Sequence, residues 1–164
     1  MATSDSTTPL DVFVHSNPAL SALVLYWTTR GYSAEAPATS DGLLFPWAIL
    51  ALGMVGSFKY RSRLPKTTRA RMTLFFTENP DFRGAIPSIL AAWRDPFWSG
   101  LRYGVSKGML STKGLCLSPR GAKLKARTGI AAELEKAGTR FGRLVAREGS
   151  DSRLASVLGT GFTA

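Results

Sequence analysis

Acid–base, nucleophilic and metal chemistry in proteins rests mainly on histidine, cysteine and paired carboxylates, and this chain offers few of them. It has one histidine, His15, and one cysteine, Cys116. A hydrolytic triad needs a histidine placed against a nucleophile and an orienting acid. His15 stands in the approach to the first apolar stretch with no such set written around it, and it reads as a surface or partly packed residue. One His, one Cys and scattered carboxylates cannot furnish a zinc site, and a single cysteine excludes a disulfide framework. Glu133 and Glu135 lie two apart on a predicted helix, so they diverge and form no acid–base pair. Gly53-Met-Val-Gly56-Ser57 has glycines but lacks the spacing of a phosphate loop, with its lysine and hydroxyl after the second glycine. No catalytic residue, metal ligand, cofactor or small-molecule substrate is expected.

Charge is the more informative chemistry. The 164 residues carry 21 Lys and Arg against 11 Asp and Glu, a net charge of +10. Lys59, Arg61, Arg63, Lys66, Arg69 and Arg71 fall in a stretch without an acid. So do Lys107, Lys113, Arg120, Lys123, Lys125 and Arg127. Both clusters are expected to meet a phosphate backbone or an acidic protein surface. Lys136, Arg140, Arg143 and Arg147 follow at spacings of four, three and four, a stripe along one helical face. Aromatic residues are not regularly interleaved with these bases, Tyr60 and Phe141 being isolated, which argues against a stacking platform for single strands. Trp27, Trp47, Trp93, Phe97 and Trp98 fall in apolar segments and read first as core. Phe97 and Trp98, beside a predicted helix start, read also as an interface anchor. With the Lys136 stripe they form the candidate protein-facing surface.

These residues need elements to hold them. Hydrophobic residues make up 45 % of the chain and charged ones 20 %, which excludes an intrinsically disordered protein. A small polar residue followed by proline heads an apolar stretch at Asn17-Pro18, Asn79-Pro80 and Asp95-Pro96. Each reads as an N-cap with proline at the first helical position. The first of these helices is predicted to stop at Gly31. Leu43 to Gly56 is apolar throughout but too short for a spanning helix, which needs roughly 20 residues, so it reads as a buried core helix from about Phe45. The basic connector of residues 59–71 leads into a helix with Met72, Leu74, Phe75 and Phe76. Gly100, Gly104 and Gly108 recur at every fourth position, a spacing that favours close packing of another backbone.

Beyond Gly108 the pattern changes. Residues 109–112 and 115–118 are predicted as two short strands about a Lys113-Gly114 turn, followed by a short helix from Ser118-Pro119-Arg120. Ile130, Leu134, Ala137, Phe141 and Leu144 write the apolar stripe of a long helix over about 129–147. A last short helix is expected from Asp151 to Leu158. The fold class is mainly α: a compact helical domain over 14–159, with a small winged-helix-like β-hairpin in its C-terminal half (the winged-helix-like part about 79–127). Residues 1–13 are expected to be a disordered tail and 160–164 a C-terminal tail. The N-terminus has acids, no base and no apolar core, unlike a secretory signal. With the single cysteine, this fits a cytoplasmic protein that does not enter a membrane.

A series of landmarks runs through the chain in fixed order. It starts with Asn17-Pro-Ala-Leu20, Tyr26, Gly31-Tyr32, the apolar segment from Leu43 and Leu64-Pro-Lys-Thr-Thr-Arg69. It continues with Glu78-Asn79-Pro80, Leu101-Arg-Tyr-Gly-Val-Ser-Lys-Gly-Met-Leu110, Phe141-Gly-Arg-Leu-Val-Ala146 and Leu154-Ala-Ser-Val-Leu-Gly159. In this order and spacing the sequence resembles the middle component of bacterial three-component ABC systems, relatives of the Lamassu antiphage defence operons, over about residues 14–159. The resemblance implies a small helical, non-enzymatic adaptor. Its partners would be an SMC-like or Rad50-like ABC ATPase that senses DNA and an effector such as a nuclease, with DNA met through the complex. The alternative is a free-standing winged-helix regulator that binds duplex DNA through Lys107, Lys113, Arg120, Lys123 and Lys125.

Overall fold

The computed structural model describes residues 9–67 and 69–148, as seven helices and three short strands. Helix α1 spans Pro9–Ser16 and α2 spans Pro18–Glu35. They join at Asn17, whose side-chain oxygen accepts from the amides of Ala19 and Leu20, as the Asn-Pro pattern requires. Helix α1 thus begins inside the stretch read as a disordered tail, and it is tied down where the Ser21 hydroxyl donates to the Val14 carbonyl at 3.0 Å.

Helix α2 is the central element. Its residues are apolar almost all round, and it is packed by neighbours on several sides, with Val24, Leu25 and Tyr26 fully buried. Thr28 and Thr29 are buried too, but each hydroxyl donates to the carbonyl four residues back, at 2.8 and 2.9 Å, so neither leaves an unmet polar group. The predicted stop at Gly31 is not observed. Gly31 lies inside the helix, where a Cβ would come within 2.1 Å of the Thr139 carbonyl oxygen, so the glycine serves a helix crossing. The helix ends instead at Ala36, held extended by the proline that follows it.

Strand β1, Leu43–Leu44, leads into α3, Phe45–Gly56, the expected buried helix. Among the described residues no helix is long and apolar enough to cross a membrane. The short α4, Phe58–Arg61, opens the basic connector, and α5, Met72–Glu78, closes it. Helix α6 then runs unbroken from Pro80 to Ser106, with Pro87 and Pro96 inside it. A new start was expected at Asp95-Pro96, because an interior proline removes a helical hydrogen bond and crowds the preceding turn. The fold answers that cost locally. The Ala92 carbonyl, which Pro96 cannot bond, accepts from Nε2 of His15 at 3.0 Å. The His15 ring stands edge-on to Trp93, 5.0 Å between centroids.

Strands β2, Leu110–Lys113, and β3, Cys116–Pro119, form the expected hairpin one residue out of the predicted register. Lys113 pairs with Cys116, so the turn is Gly114-Leu115. Gly114 has φ +58° and Leu115 has a negative φ, the pattern of a type II′ turn, which places glycine first. Strand β1 pairs antiparallel with β3, giving the sheet order β1-β3-β2. After Pro119 no helix restarts. The Arg120 amide closes the hairpin on the Met109 carbonyl, and residues 120–128 run as an irregular strap across α2. Helix α7, Gly129–Glu148, completes the core with Leu134, Phe141 and Leu144 buried against α2. The expected helix at Asp151 to Leu158 and the C-terminal tail lie outside the described residues.

Candidate interaction surface

The fold sorts the basic residues into those it uses and those it leaves outward. In the first cluster, Arg61 turns back to cap α3, its Nη1 donating to the Val55 carbonyl at 2.8 Å and the Gly56 carbonyl at 3.3 Å. This is a favourable place for a cation at a helix C-terminus. Arg63 bonds Asp81 at 2.5 Å and Asn79, with its guanidinium 4.4 Å from the Phe82 ring. That hydrogen bond holds the Asp81 carboxyl below the usual carboxylate range and raises the Arg63 guanidinium further. Both guanidiniums are thus engaged within the fold, Arg61 at a helix end and Arg63 in a surface ion pair. Lys59, Lys66, Arg69 and Arg71 are exposed.

The second cluster divides in the same way. Lys113 pairs with Asp41 across to the loop before β1, and the carboxylate raises the Lys113 ammonium above its ordinary value. Lys107 lies at the end of α6 near the face of Tyr103. Arg120, Lys123, Lys125 and Arg127 project from the strap, all exposed. The strap is fixed by aromatic hydroxyl and indole groups of α2. Tyr26 Oη donates to the Ala122 carbonyl at 2.8 Å and accepts from the Leu124 amide, and Trp27 Nε1 donates to the Leu124 carbonyl. From α7, the Glu135 carboxylate takes the Ala126 amide at 2.6 Å. Four bases are thereby presented on a segment without regular structure.

The α7 stripe does not act as one face. Lys136 is exposed. Arg140 donates to the Pro65 carbonyl at 3.3 Å, and Arg147 bonds Glu35 at 3.3 Å, so both fasten neighbouring elements. Arg143 is half-buried, and its Nε has no hydrogen-bond partner. Phe97 is fully buried, stacked edge-on with Phe45, and so belongs to the core and not to an interface. Its neighbour Trp98 is 40 % exposed and rests on both Phe45 and Phe97. Trp27, Trp47 and Trp93 are core, as expected.

Two features escaped the sequence reading. Arg30, which lies over Tyr26 and faces the strap, belongs to no basic run. The close crossing of α2 and α7 depends on Gly31 and Gly142, with Gly138 in tight contact between them. The four-residue spacing of Gly138 and Gly142 was a visible signal for it.

Among the described residues, no three His, Cys, Asp or Glu side chains come together as a metal-binding group. The described surface offers exposed cations and several exposed apolar side chains, among them Trp98 resting on two phenylalanines. A family model, that of the ABC-three component (ABC-3C) system Middle Component 3, matches residues 7–162. The chain belongs to that family. No curated protein and no solved structure matches it. A middle component is one part of a multi-component ABC system, which implies protein partners. The exposed side chains of this middle component include Lys66, Arg69, Arg71, the strap bases and Trp98, together with Phe13, Phe58, Leu74 and Leu115.

Proposed function

We propose that this middle component is a non-enzymatic adaptor of an antiphage or anti-plasmid defence complex of the Lamassu type. It would link an SMC-like or Rad50-like ABC ATPase to an effector such as a nuclease in the cytoplasm. The family match across nearly the whole chain carries this reading. The outward cations and the exposed ring of Trp98 support it, because an adaptor needs recognition groups and no reacting ones. The helices hold the surface; the strap and connector supply charge for docking, which governs association rate and orientation more than affinity.

A second reading is favoured by topology. The expected winged-helix-like part was about 79–127; the order α2, β1, α3, α6, β2, β3 with the sheet order β1-β3-β2 supports a wider winged-helix-like arrangement in which α4 and α5 would be an insertion. A winged-helix regulator would lay α6 and the hairpin on duplex DNA.

Co-expression with an SMC-like or Rad50-like ABC ATPase and an effector from the same system separates the two. An adaptor co-purifies with both, and the ATPase and effector fail to associate without it. A complex that assembles equally well in its absence would overturn the adaptor reading. The regulator reading instead requires duplex binding by the chain alone, with an affinity that falls steeply with salt.

A further inference from the structure

A pocket of about 380 Å³ lies between the C-terminal half of α2, the middle of α7 and the strap. Arg30 and Ser33 come from α2, Thr139, Arg143 and Glu135 from α7, and Lys123 from the strap. Its volume lies in the range of small-molecule sites, about 300–1,000 Å³, and Trp27 and Leu124 give it an apolar wall.

The balance of charge is the main chemical feature of this concave, partly buried site. Three bases and one acid line it, an excess of two positive charges. Elsewhere the fold answers its half-buried or bridging bases: Arg63 with Asp81, Lys113 with Asp41, Arg147 with Glu35, and Arg140 with a carbonyl. Here the one carboxylate, Glu135, already accepts the Ala126 amide. Arg143 keeps a buried Nε with no partner, a donor that folding has stripped of water and not matched. Arg30 is steadied over the Tyr26 ring without an acid.

We propose that this pocket binds a phosphomonoester on a small molecule of about mononucleotide size. Two guanidiniums offer planar, paired donors suited to phosphate oxygens. A phosphomonoester carries about −1.5 to −2 at pH 7, which matches the pocket's excess, whereas a carboxylate or a DNA phosphodiester carries half of it. The Ser33 and Thr139 hydroxyls add polar contacts at the rim. Because the strap forms one wall, an occupied pocket would fix Lys123 and its neighbours, and so bias the surface assigned above to docking. The proposal does not depend on the adaptor reading.

Isothermal titration of the full-length chain tests it, using inorganic phosphate, AMP, adenosine and a short DNA duplex as probes. AMP is expected to bind at least about tenfold more tightly than adenosine, with inorganic phosphate competing. Arg143→Gln and Lys123→Ala should each weaken AMP at least about tenfold, the scale of one lost charge-assisted bond. Arg143→Lys should restore little, since it keeps the charge but loses the planar paired donors of the guanidinium. Lys123 is exposed, so its variant keeps the test sound if Arg143→Gln does not fold. Absence of binding by both phosphate and AMP, or AMP binding untouched by either variant, would overturn the proposal. So would a duplex that binds through these residues while AMP does not, which would make the phosphate source a nucleic-acid backbone.

Discussion

At the scale of single residues, His15 shows how a chemically suggestive side chain is absorbed by structure. Pro96 leaves the Ala92 carbonyl without its helical donor, and His15 supplies one from another helix. Replacing His15 by alanine is expected to cost about 1 kcal/mol, the usual net worth of one hydrogen bond. The cost should shrink in a Pro96→Ala background, where residue 96 regains an amide to bond Ala92. Urea denaturation of the four proteins of this double-mutant cycle measures the coupling, and equal costs in both backgrounds would remove the explanation. Phe97 and Trp98 make a parallel point. Adjacent residues on a helix point about 100° apart, so one ring is fully buried and the other 40 % exposed.

At the scale of elements, the crossing of α2 and α7 decides how the core closes. At Gly142 a Cβ would fall 2.0 Å from the Thr28 carbonyl oxygen, and at Gly31 2.1 Å from that of Thr139. Backbone cannot move aside as a flexible side chain does, so the helices approach only because both positions are glycine. Gly142→Ala should lose about 3 kcal/mol or more, at the upper end of overpacking costs. Gly84 is the control: it lies in α6, exposed, with nothing near an added Cβ. Gly84→Ala should gain up to about 1 kcal/mol from helix propensity alone. Thermal melts of the two variants should therefore move in opposite directions. The hairpin is governed at this scale too, since Gly114 must occupy the first turn position for a II′ turn.

At the scale of the molecule, the net charge of +10 is spent unevenly. Arg61, Arg63, Lys113, Arg140 and Arg147 fasten elements to one another, while Lys66, Arg69, Arg71, Lys125 and Arg127 point outward without an acidic partner among the described residues. Reversing that outward set to glutamate should change folding stability by no more than about 0.5 kcal/mol per site, and should lower the salt concentration that elutes the protein from heparin. Reversing Arg63 should instead lower stability, because it leaves Asp81 facing a like charge. An elution point that does not move would mean that the outward bases are not the attractive surface.

Much of this fold was legible because its determinants are local. Asn17-Pro18 and Asn79-Pro80 mark helix starts through capping chemistry, and the 3.6-residue stripe of α7 needs only its own sequence to be seen. The absence of a triad or phosphate-loop pattern could likewise be read from residue types and spacing. The hairpin register was missed locally, because a II′ turn needs Gly114 in its first position, and the remaining failures were non-local. Whether Asp95-Pro96 begins a helix depended on a histidine 77 residues away in the chain that satisfies Ala92. Whether Gly31 stops α2 depended on α7 lying against it, and whether the chain after Pro119 coils into a helix depended on Tyr26 and Trp27 holding it straight. The sequence alone determined where the helices and the charge lie, because propensity, capping and composition act within a few residues. Only the tertiary structure decided which cations are consumed in pairs and which stand outward or line a pocket, because a partner's position in space is set by packing between elements far apart in the chain.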